Sequence, residues 1–346
     1  MESLRQAYAQ PRARLADDRF ERPLAMWMAA GVVLITLVAC SSEPAESTTS
    51  PSTASDVELA AKAETTPPEV TPTSYRAPRR LLIDVDTLKE QLDNPRLKIL
   101  DTRRADEYLA AHIVGAVHVD VDQWIENSRR EGGLEDAAFW SDLVGSFGIS
   151  RDSQVVICGE TVPNAARVWW TLRYLGVDDV RLLDGSWRQW GRKFYPMESK
   201  SPEIAPAAFQ PAFQKPMLMT REALKGALGS HDDRMILIDA RSRGEYKGQD
   251  AAGQRAGHIP GAVNLEWKEV LDEGNHFLTP ERLQQQFRKL GVERVKTVVP
   301  YCRSGARSSV MTFALSLAGY PTVRHYYGGW LDWSADEEAP VEGKTP

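Results

Sequence analysis

Along most of the chain, short β-branched runs alternate with longer segments that have the apolar spacing of a helix. Residues 98–100, 155–157 and 180–182 are strand-like runs, and residues 165–175 follow the helical pattern. Short strands that alternate with helices are typical of a parallel sheet covered by helices on both faces. The pattern therefore predicts an α/β fold.

The second half of the chain repeats the first. The run ILDTR at 99–103 corresponds to LIDAR at 237–241, and AHIVGAV at 111–117 corresponds to GHIPGAV at 257–263. Later landmarks keep one spacing of 143 residues: Gly176 with Gly319, Gly185 with Gly328, Trp187 with Trp330 and Trp190 with Trp333. The repeat predicts two similar α/β domains, at 79–197 and 217–340, joined by a proline-rich linker at 198–216.

Composition and charge restrict the class of protein only slightly. The chain has 346 residues, of which 42% are hydrophobic and 26% charged, as expected for a globular protein of about two domains. The net charge of −6 argues against a nucleic-acid partner. Three cysteines, Cys40, Cys158 and Cys302, offer no disulfide framework.

The amino terminus has the pattern of an export signal. Residues 24–39 are apolar, follow Arg19 and Arg22, and fall short of the roughly 20 residues of a membrane span. The ending LVAC at 37–40 resembles a bacterial lipobox. That resemblance implies that residues 1–39 are a lipoprotein-type signal peptide and that Cys40 is lipidated, which anchors the protein to a membrane. An uncleaved helical anchor is the alternative, and either one exports the domains.

Residues 40–78 are rich in Ser, Thr, Pro, Ala and Glu and have almost no large apolar residues. We expect them to form a disordered tether. Ser41, in place of an aspartate after Cys40, favours the outer membrane, with the domains facing the periplasm when the cell has one.

Cys302 lies where a predicted strand, residues 297–301, gives way to a helical pattern, residues 308–318, that ends at Gly319. Loop N–H groups, the positive end of the helix and two nearby arginines are expected to favour an anionic sulfur, and so to lower the thiol pKa below its usual value of about 8.5. The pattern predicts a nucleophile, and the alternative is a small buried cysteine at a strand end.

The loop CRSGAR at 302–307 has four residues between cysteine and arginine, whereas cysteine phosphatases have five. Together with GHIPGA at 257–262 and GGW at 328–330, it resembles the rhodanese family of sulfurtransferases. The resemblance implies that Cys302 takes a sulfane sulfur from a small sulfur-containing anion, holds it as a persulfide and passes it to cyanide or a thiol. No cofactor or metal is implied. The implied substrate-binding residues are Arg303, Ser304, Gly305, Ala306 and Arg307.

The first copy lacks this site. The 143-residue spacing places Gly159 at the position of Cys302 and Cys158 at that of Tyr301. Cys158 is therefore one residue early, on the other face of its strand, and we expect it to be structural. This resembles tandem rhodaneses, in which the first domain is inactive and the second catalytic.

The loop arginines bear on the donor. Arg303 is expected to bind an anionic donor at the pocket mouth, and Arg307 to neutralise the bound anion or to lock the loop by hydrogen bonds. In the family, a basic residue after the cysteine goes with thiosulfate-type donors and a small one with mercaptopyruvate. Tandem members often place a substrate arginine where this chain has Glu245, so Arg255 is the candidate for the missing charge.

Several conspicuous residues have structural interpretations. Both copies contain the pairs Asp101 with Asp239 and His112 with His258, although only one copy has a nucleophile, so these residues are expected to hold the fold. The alternatives to a transferase are a sulfur-carrying or protein-binding module with little turnover and, least favoured because of the loop length, a cysteine phosphatase. Mercaptopyruvate is the alternative donor.

Overall fold

The computed structural model describes residues 81–230, 232–250 and 255–343, all within one compact unit, Glu69–Pro346. The predicted signal peptide, Cys40 and the whole predicted tether lie outside these residues. No helix in the three described ranges is long and apolar enough to cross a membrane.

The first half builds a five-stranded parallel sheet in the order β1-β6-β5-β2-β4, and β3 pairs antiparallel with β7 beside it. Its elements are β1 (Leu82–Ile83), α1 (Val85–Glu90), β2 (Leu97–Asp101), α2 (Ala105–Ala110), β3 (His112–Ile113), β4 (Ala116–His118), α3 (Val121–Arg129), α4 (Ala137–Ser146), β5 (Gln154–Cys158), α5 (Val162–Tyr174), β6 (Asp179–Leu183), α6 (Ser186–Arg192) and β7 (Met197–Glu198).

The second half repeats this plan with a smaller regular sheet, in the order β10-β8-β9, again parallel. Its elements are α7 (Arg221–Gly229), β8 (Met235–Asp239), α8 (Arg243–Tyr246), β9 (Val263–Asn264), α9 (Pro280–Lys289), β10 (Thr297–Tyr301), α10 (Ala306–Leu317) and α11 (Gly329–Ala335). Short 3-10 turns occur at Gly133–Glu135, Lys215–Met217 and Trp267–Val270. The α/β prediction with two domains of one kind is confirmed.

Pro300 explains why the second sheet is smaller. It is the fourth of the five β10 residues, near the carboxyl end of the strand. Val298 donates to Thr322 O and accepts from Arg324 N, so the even-numbered residues of β10 face the segment at 322–326. Pro300 can accept there, from Tyr326 N, but has no N–H to donate. This segment, which corresponds to β6, therefore forms only isolated bridges with β10.

Alternate side chains along a strand pack into different core clusters. In β5, Val156 and Cys158 pack with Trp190 of α6 on the outer face, whereas Val155 and Ile157 face the other half of the chain. Cys302 belongs to the same core cluster as Val155 and Ile157. The two cysteines therefore lie on opposite faces of their sheets, as the repeat predicts from the period of a strand.

Helices α5 and α10, which follow the two equivalent loops, pack against each other at the centre of the molecule. The Trp169 and Phe313 rings meet edge to face, with centroids 4.8 Å apart. Trp170 stacks on Tyr327 at 4.8 Å and meets His325 edge-on at 4.7 Å. One core cluster therefore joins the two copies.

Element bounds differ modestly from the predictions. The first-half strands extend one residue beyond each predicted end, α5 begins three residues before the predicted helix, and α10 begins at Ala306 instead of residue 308. The predicted linker overlaps β7 at Glu198, because His112 and Glu198 pair across the antiparallel ribbon. Glycines end α5 and α10 as expected: Gly176 and Gly319 both have positive φ.

Candidate active site

The loop after β10 holds the Cys302 sulfur in a polar cradle. The side chain is 1% exposed, and Sγ accepts hydrogen bonds from Gly305 N and Ser308 Oγ, each at 3.2 Å. Gly305 has φ of +96°, and a Cβ there would lie 3.0 Å from the Tyr327 ring. Glycine is needed at this position for both reasons, since it turns the loop so that its own N–H points at the sulfur.

The loop is fixed from outside through its carbonyl groups. Trp330 N donates to Cys302 O at 2.7 Å, and Leu331 N donates to Arg303 O at 3.0 Å. These donors are first-turn N–H groups of α11, which would otherwise lack partners within their helix. The GGW motif is therefore part of the site, because it supplies the turn that holds the loop.

Behind the sulfur lies a buried polar pair that the sequence did not reveal. Ser308 Oγ, which contacts Sγ, also lies 2.6 Å from Nε2 of His325. His325 is completely buried, and burial followed by the charge of Arg167 holds its pKa well below the usual value. His325 is therefore neutral at physiological pH.

Arg307 does not face the sulfur as a free cation. Its guanidinium forms a two-pronged ion pair with Glu245 of α8, with N–O distances of 2.6 and 2.8 Å. Burial alone would raise the pKa of Glu245, but hydrogen bonds and charge from Arg307 outweigh it and lower that pKa to about 2. Burial disfavours the Arg307 cation, yet the contact with Glu245 and the electrostatic interaction with Cys302 raise the Arg307 pKa overall. The pair ties α8 to the catalytic loop.

The other predicted binding residues occupy different positions. The Arg303 side chain is exposed and makes no hydrogen bond or ion pair with any described residue. Ser304 contributes its carbonyl group to a contact with Arg167, and Ala306 begins α10. Arg255 is partly buried and donates to Asp336 O at 2.8 Å, while its own carbonyl accepts from Trp330 Nε1.

A buried arginine from the first copy reaches this loop. Arg167 of α5 is 2% exposed, and its guanidinium donates to Ser304 O at 2.8 Å and to the Tyr327 hydroxyl at 2.5 Å. No described carboxylate pairs with it. Ser128 of α3 also contacts the Tyr327 hydroxyl, at 3.0 Å. The copy without a nucleophile therefore helps to position the loop that has one.

In the first copy, the position equivalent to Cys302 has no room for a thiol. A Cβ on Gly159 would overlap Thr102 Oγ1, which instead donates to Cys158 O at 3.0 Å. Cys158 is 1% exposed, and burial, then the Asp101 charge, raise its pKa well above the usual value. A neutral, buried thiol is a poor nucleophile.

The paired aspartates and histidines have the same surroundings in both copies. Asp101 and Arg103 form a buried ion pair at 2.6 Å, as do Asp239 and Arg241. His112 stacks on Tyr108 in the first copy, and His258 stacks on Tyr246 in the second. Among the described residues, no cluster of histidines, cysteines and acids could hold a metal ion.

The repeat itself contains a signal for the missed residues. At the 143-residue spacing, Ser308 corresponds to Ala165 and His325 to Leu182, so both polar residues occur only in the copy with a nucleophile. Arg167 has no such signal, because it lies in the other copy.

Comparison with known proteins agrees with this geometry. The family model described as "Rhodanese-like domain" matches residues 84–193 and 220–336. These two matches cover most of the chain and coincide with its two copies. The chain belongs to the rhodanese family.

Curated relatives and a solved structure extend over both copies. The chain is 34% identical over 255 residues to thiosulfate sulfurtransferase of Bos taurus, covering 69% of this chain and 85% of that protein. It is 30% identical over 275 residues to 3-mercaptopyruvate sulfurtransferase of Escherichia coli (strain K12), covering 75% and 97%. The crystal structure of SseA from Escherichia coli, a 3-mercaptopyruvate sulfotransferase, superposes with a TM-score of 0.63 at 28% identity, covering 72% and 99%.

Proposed function

We propose that this chain moves sulfane sulfur from a thiosulfate-like anion to a thiophilic acceptor, cyanide or a thiol, through a persulfide on Cys302. The enzyme class, sulfurtransferase, follows from the family and from the relatives named above. The observation that carries the proposal is the cradle around Sγ, where two donors each lie 3.2 Å from the sulfur and no group of histidines, cysteines and acids within the described ranges could hold a metal ion. Such a site holds a sulfur anion.

The chemistry needs only the thiolate and the two substrates. The Cys302 thiolate attacks the outer sulfur of thiosulfate, so a bond forms to Sγ while the bond to the inner sulfur breaks and sulfite leaves with the electron pair. Cyanide then attacks the outer sulfur of the persulfide, and thiocyanate leaves as the thiolate is restored. Charge and atoms balance in both steps without a proton transfer.

Charge at the loop supports an anionic donor. Glu245 neutralises Arg307, whereas Arg303, the residue after Cys302, is exposed and unpaired among the described residues. A cation that follows the nucleophile in sequence and has no counter-ion there supports a dianionic donor. Steady-state kinetics with thiosulfate and with mercaptopyruvate distinguish the two donors, and a higher kcat/KM for mercaptopyruvate would overturn the thiosulfate assignment.

Intact mass spectrometry tests the persulfide. Treating the full chain with thiosulfate should add one sulfur atom, and cyanide should remove it. Cys302→Ser should abolish both the gain and the transfer, whereas Cys158→Ser, the matched control, should retain most of each. Comparable losses from the two variants would contradict a single catalytic cysteine.

The same proposal places the protein outside the cytoplasm, anchored through a lipid on Cys40 and, where an outer membrane exists, facing the periplasm. Support comes from the lipobox-like ending at 37–40 alone, which lies outside the described residues. Cys40→Ala should move the protein from the membrane to the soluble fraction with its specific activity unchanged, while Cys158→Ala should leave it in the membrane. Continued membrane association of Cys40→Ala would favour an uncleaved helical anchor.

A further inference from the structure

Three groups in the second copy form a buried hydrogen-bond chain that ends on the reacting sulfur. His325 Nε2 lies 2.6 Å from Ser308 Oγ, which lies 3.2 Å from Cys302 Sγ. Each of the three residues is at most 1% exposed. Water therefore does not compete for these contacts, and the direction of each hydrogen bond depends on where the few available protons reside.

The histidine ring determines the first direction. Nδ1 of His325 is buried and has no hydrogen-bond partner among the described residues. A proton on Nδ1 would leave a buried N–H unpaired, which costs more than an unpaired ring lone pair. The neutral ring therefore carries its proton on Nε2 and donates to Ser308 Oγ.

The second direction follows from the surroundings of the hydroxyl. Ser308 Oγ has one proton and two acceptors left, Cys302 Sγ and Gly305 O at 3.0 Å. Gly305 O already accepts from Ser309 N at 2.9 Å and from Ser309 Oγ at 2.8 Å, so both of its lone pairs are used. A hydrogen bond to an anionic sulfur is also the stronger choice.

We propose that His325 and Ser308 form a one-way chain, His325 Nε2–H to Ser308 Oγ and Ser308 Oγ–H to Cys302 Sγ, that stabilises the thiolate. The proposal rests on the proposed function. Ser308 touches the reacting atom and is a catalytic residue, whereas His325 acts through Ser308 and is a positioning residue. The first copy agrees, because its equivalents, Ala165 and Leu182, serve no sulfur.

Other charged and titratable groups also face this chain. Arg167 of α5 acts on His325 electrostatically, the Tyr327 ring meets the imidazole edge-on at 5.5 Å, and Arg307, paired with Glu245, interacts electrostatically with Cys302. None of these three is altered by a substitution at Ser308. A change at Ser308 therefore reports on the hydroxyl itself.

The test is the pH dependence of Cys302 alkylation by iodoacetamide in the full chain, followed by mass spectrometry of the tryptic peptide 297–303. Ser308→Ala should raise the inflection by about one pH unit or more, as loss of a hydrogen bond to a charged group requires. Ser316→Ala is the matched control, since Ser316 is a buried serine of the same helix whose hydroxyl donates to Thr312 O and contacts neither the sulfur nor Gly305 O; its inflection should stay within about 0.3 pH units.

Substitutions at His325 test the direction of the hydrogen bonds, because the two possible directions predict opposite changes in the inflection. In the proposed direction, His325→Leu raises the inflection, because it removes the donor that polarises Ser308, and His325→Gln, which keeps an N–H, restores much of it. If Ser308 instead donates to the ring, His325→Leu frees the hydroxyl and lowers the inflection, which would overturn the proposal. An unchanged inflection in Ser308→Ala, or an equal change in Ser316→Ala, would also overturn it.

The two proposals fail separately. Alkylation uses neither a sulfur donor nor an acceptor, so absence of a persulfide in the mass assay would remove the proposed function without altering these inflections. In turnover, Ser308→Ala should lower kcat with little change in the thiosulfate KM, because the hydroxyl contacts the sulfur and not the donor.

Discussion

The Arg307–Glu245 pair should make a large, pH-dependent contribution to stability. Its two side chains are only 25% and 19% exposed, so solvent screens them weakly. The pair lowers the Glu245 pKa from 4.5 to about 2. A difference of that size corresponds to about 3 kcal/mol of folding free energy at neutral pH.

The sign follows from the lowered pKa. A carboxylate whose pKa is lower in the folded state contributes fully above its unfolded pKa of 4.5, and the contribution disappears as the pH falls through about 2. Glu245→Gln mimics the protonated acid. It should lower the free energy of unfolding by about 3 kcal/mol at pH 7 but by only about 1.5 kcal/mol at pH 3.

Urea unfolding of the full chain at both pH values measures this difference. Asp106→Asn is the matched control, because it breaks the Arg104 ion pair, whose side chains are 78% and 67% exposed, and it should change stability little at either pH. A Glu245→Gln effect equal at pH 7 and pH 3, or no larger than the control's at pH 7, would refute the assignment of the pair as the cause.

Substitutions at four further positions test the site. Arg303→Ala should raise the thiosulfate KM about tenfold to a hundredfold, since losing one charged hydrogen bond costs about 1.5–3 kcal/mol. Arg307→Ala should mainly lower kcat. Unchanged thiosulfate kinetics in Arg303→Ala would refute the assignment of thiosulfate as the class of donor. Arg167→Met should lower kcat about tenfold and Arg167→Lys less, and full activity in the Met variant would show that the first copy does not position the loop. Gly305→Ala should destabilise the protein by about 1–3 kcal/mol in thermal unfolding, because φ is positive and Tyr327 occupies the space; a neutral effect would contradict the strain argument.

The features predicted correctly from sequence depend on local period or on the repeat. The strand at 297–301 is found with the predicted ends, because a β-branched run between loops has few alternatives. The opposite faces of Cys158 and Cys302 follow from a one-residue offset between aligned copies. The effect of Pro300 is also local. Its missing N–H weakens the pairing of β10 with the segment at 322–326 but does not abolish the strand.

The features that sequence did not reveal are contacts between distant segments. Glu245 and Arg307 are 62 residues apart, and Arg167 and Ser304 are 137 apart, so no spacing along the chain signals either contact. The repeat distinguishes Ser308 and His325 as polar residues of the catalytic copy only, but it does not show that they touch. They do so because the segment at 322–326 lies beside β10. Such pairings are set by packing, for which one chain without its relatives gives no direct pattern.

The core shared by α5 and α10 makes the stability of each copy depend on the other. Trp169 and Trp170 are fully buried only while the other copy covers them, so a chain cut between the copies would present that aromatic face to water. Because the two copies share this core, we expect the catalytic copy to be unstable when the other copy is removed. Substitutions on the inner face of α5 should be as constrained in evolution as those in the catalytic loop, although no substrate touches them.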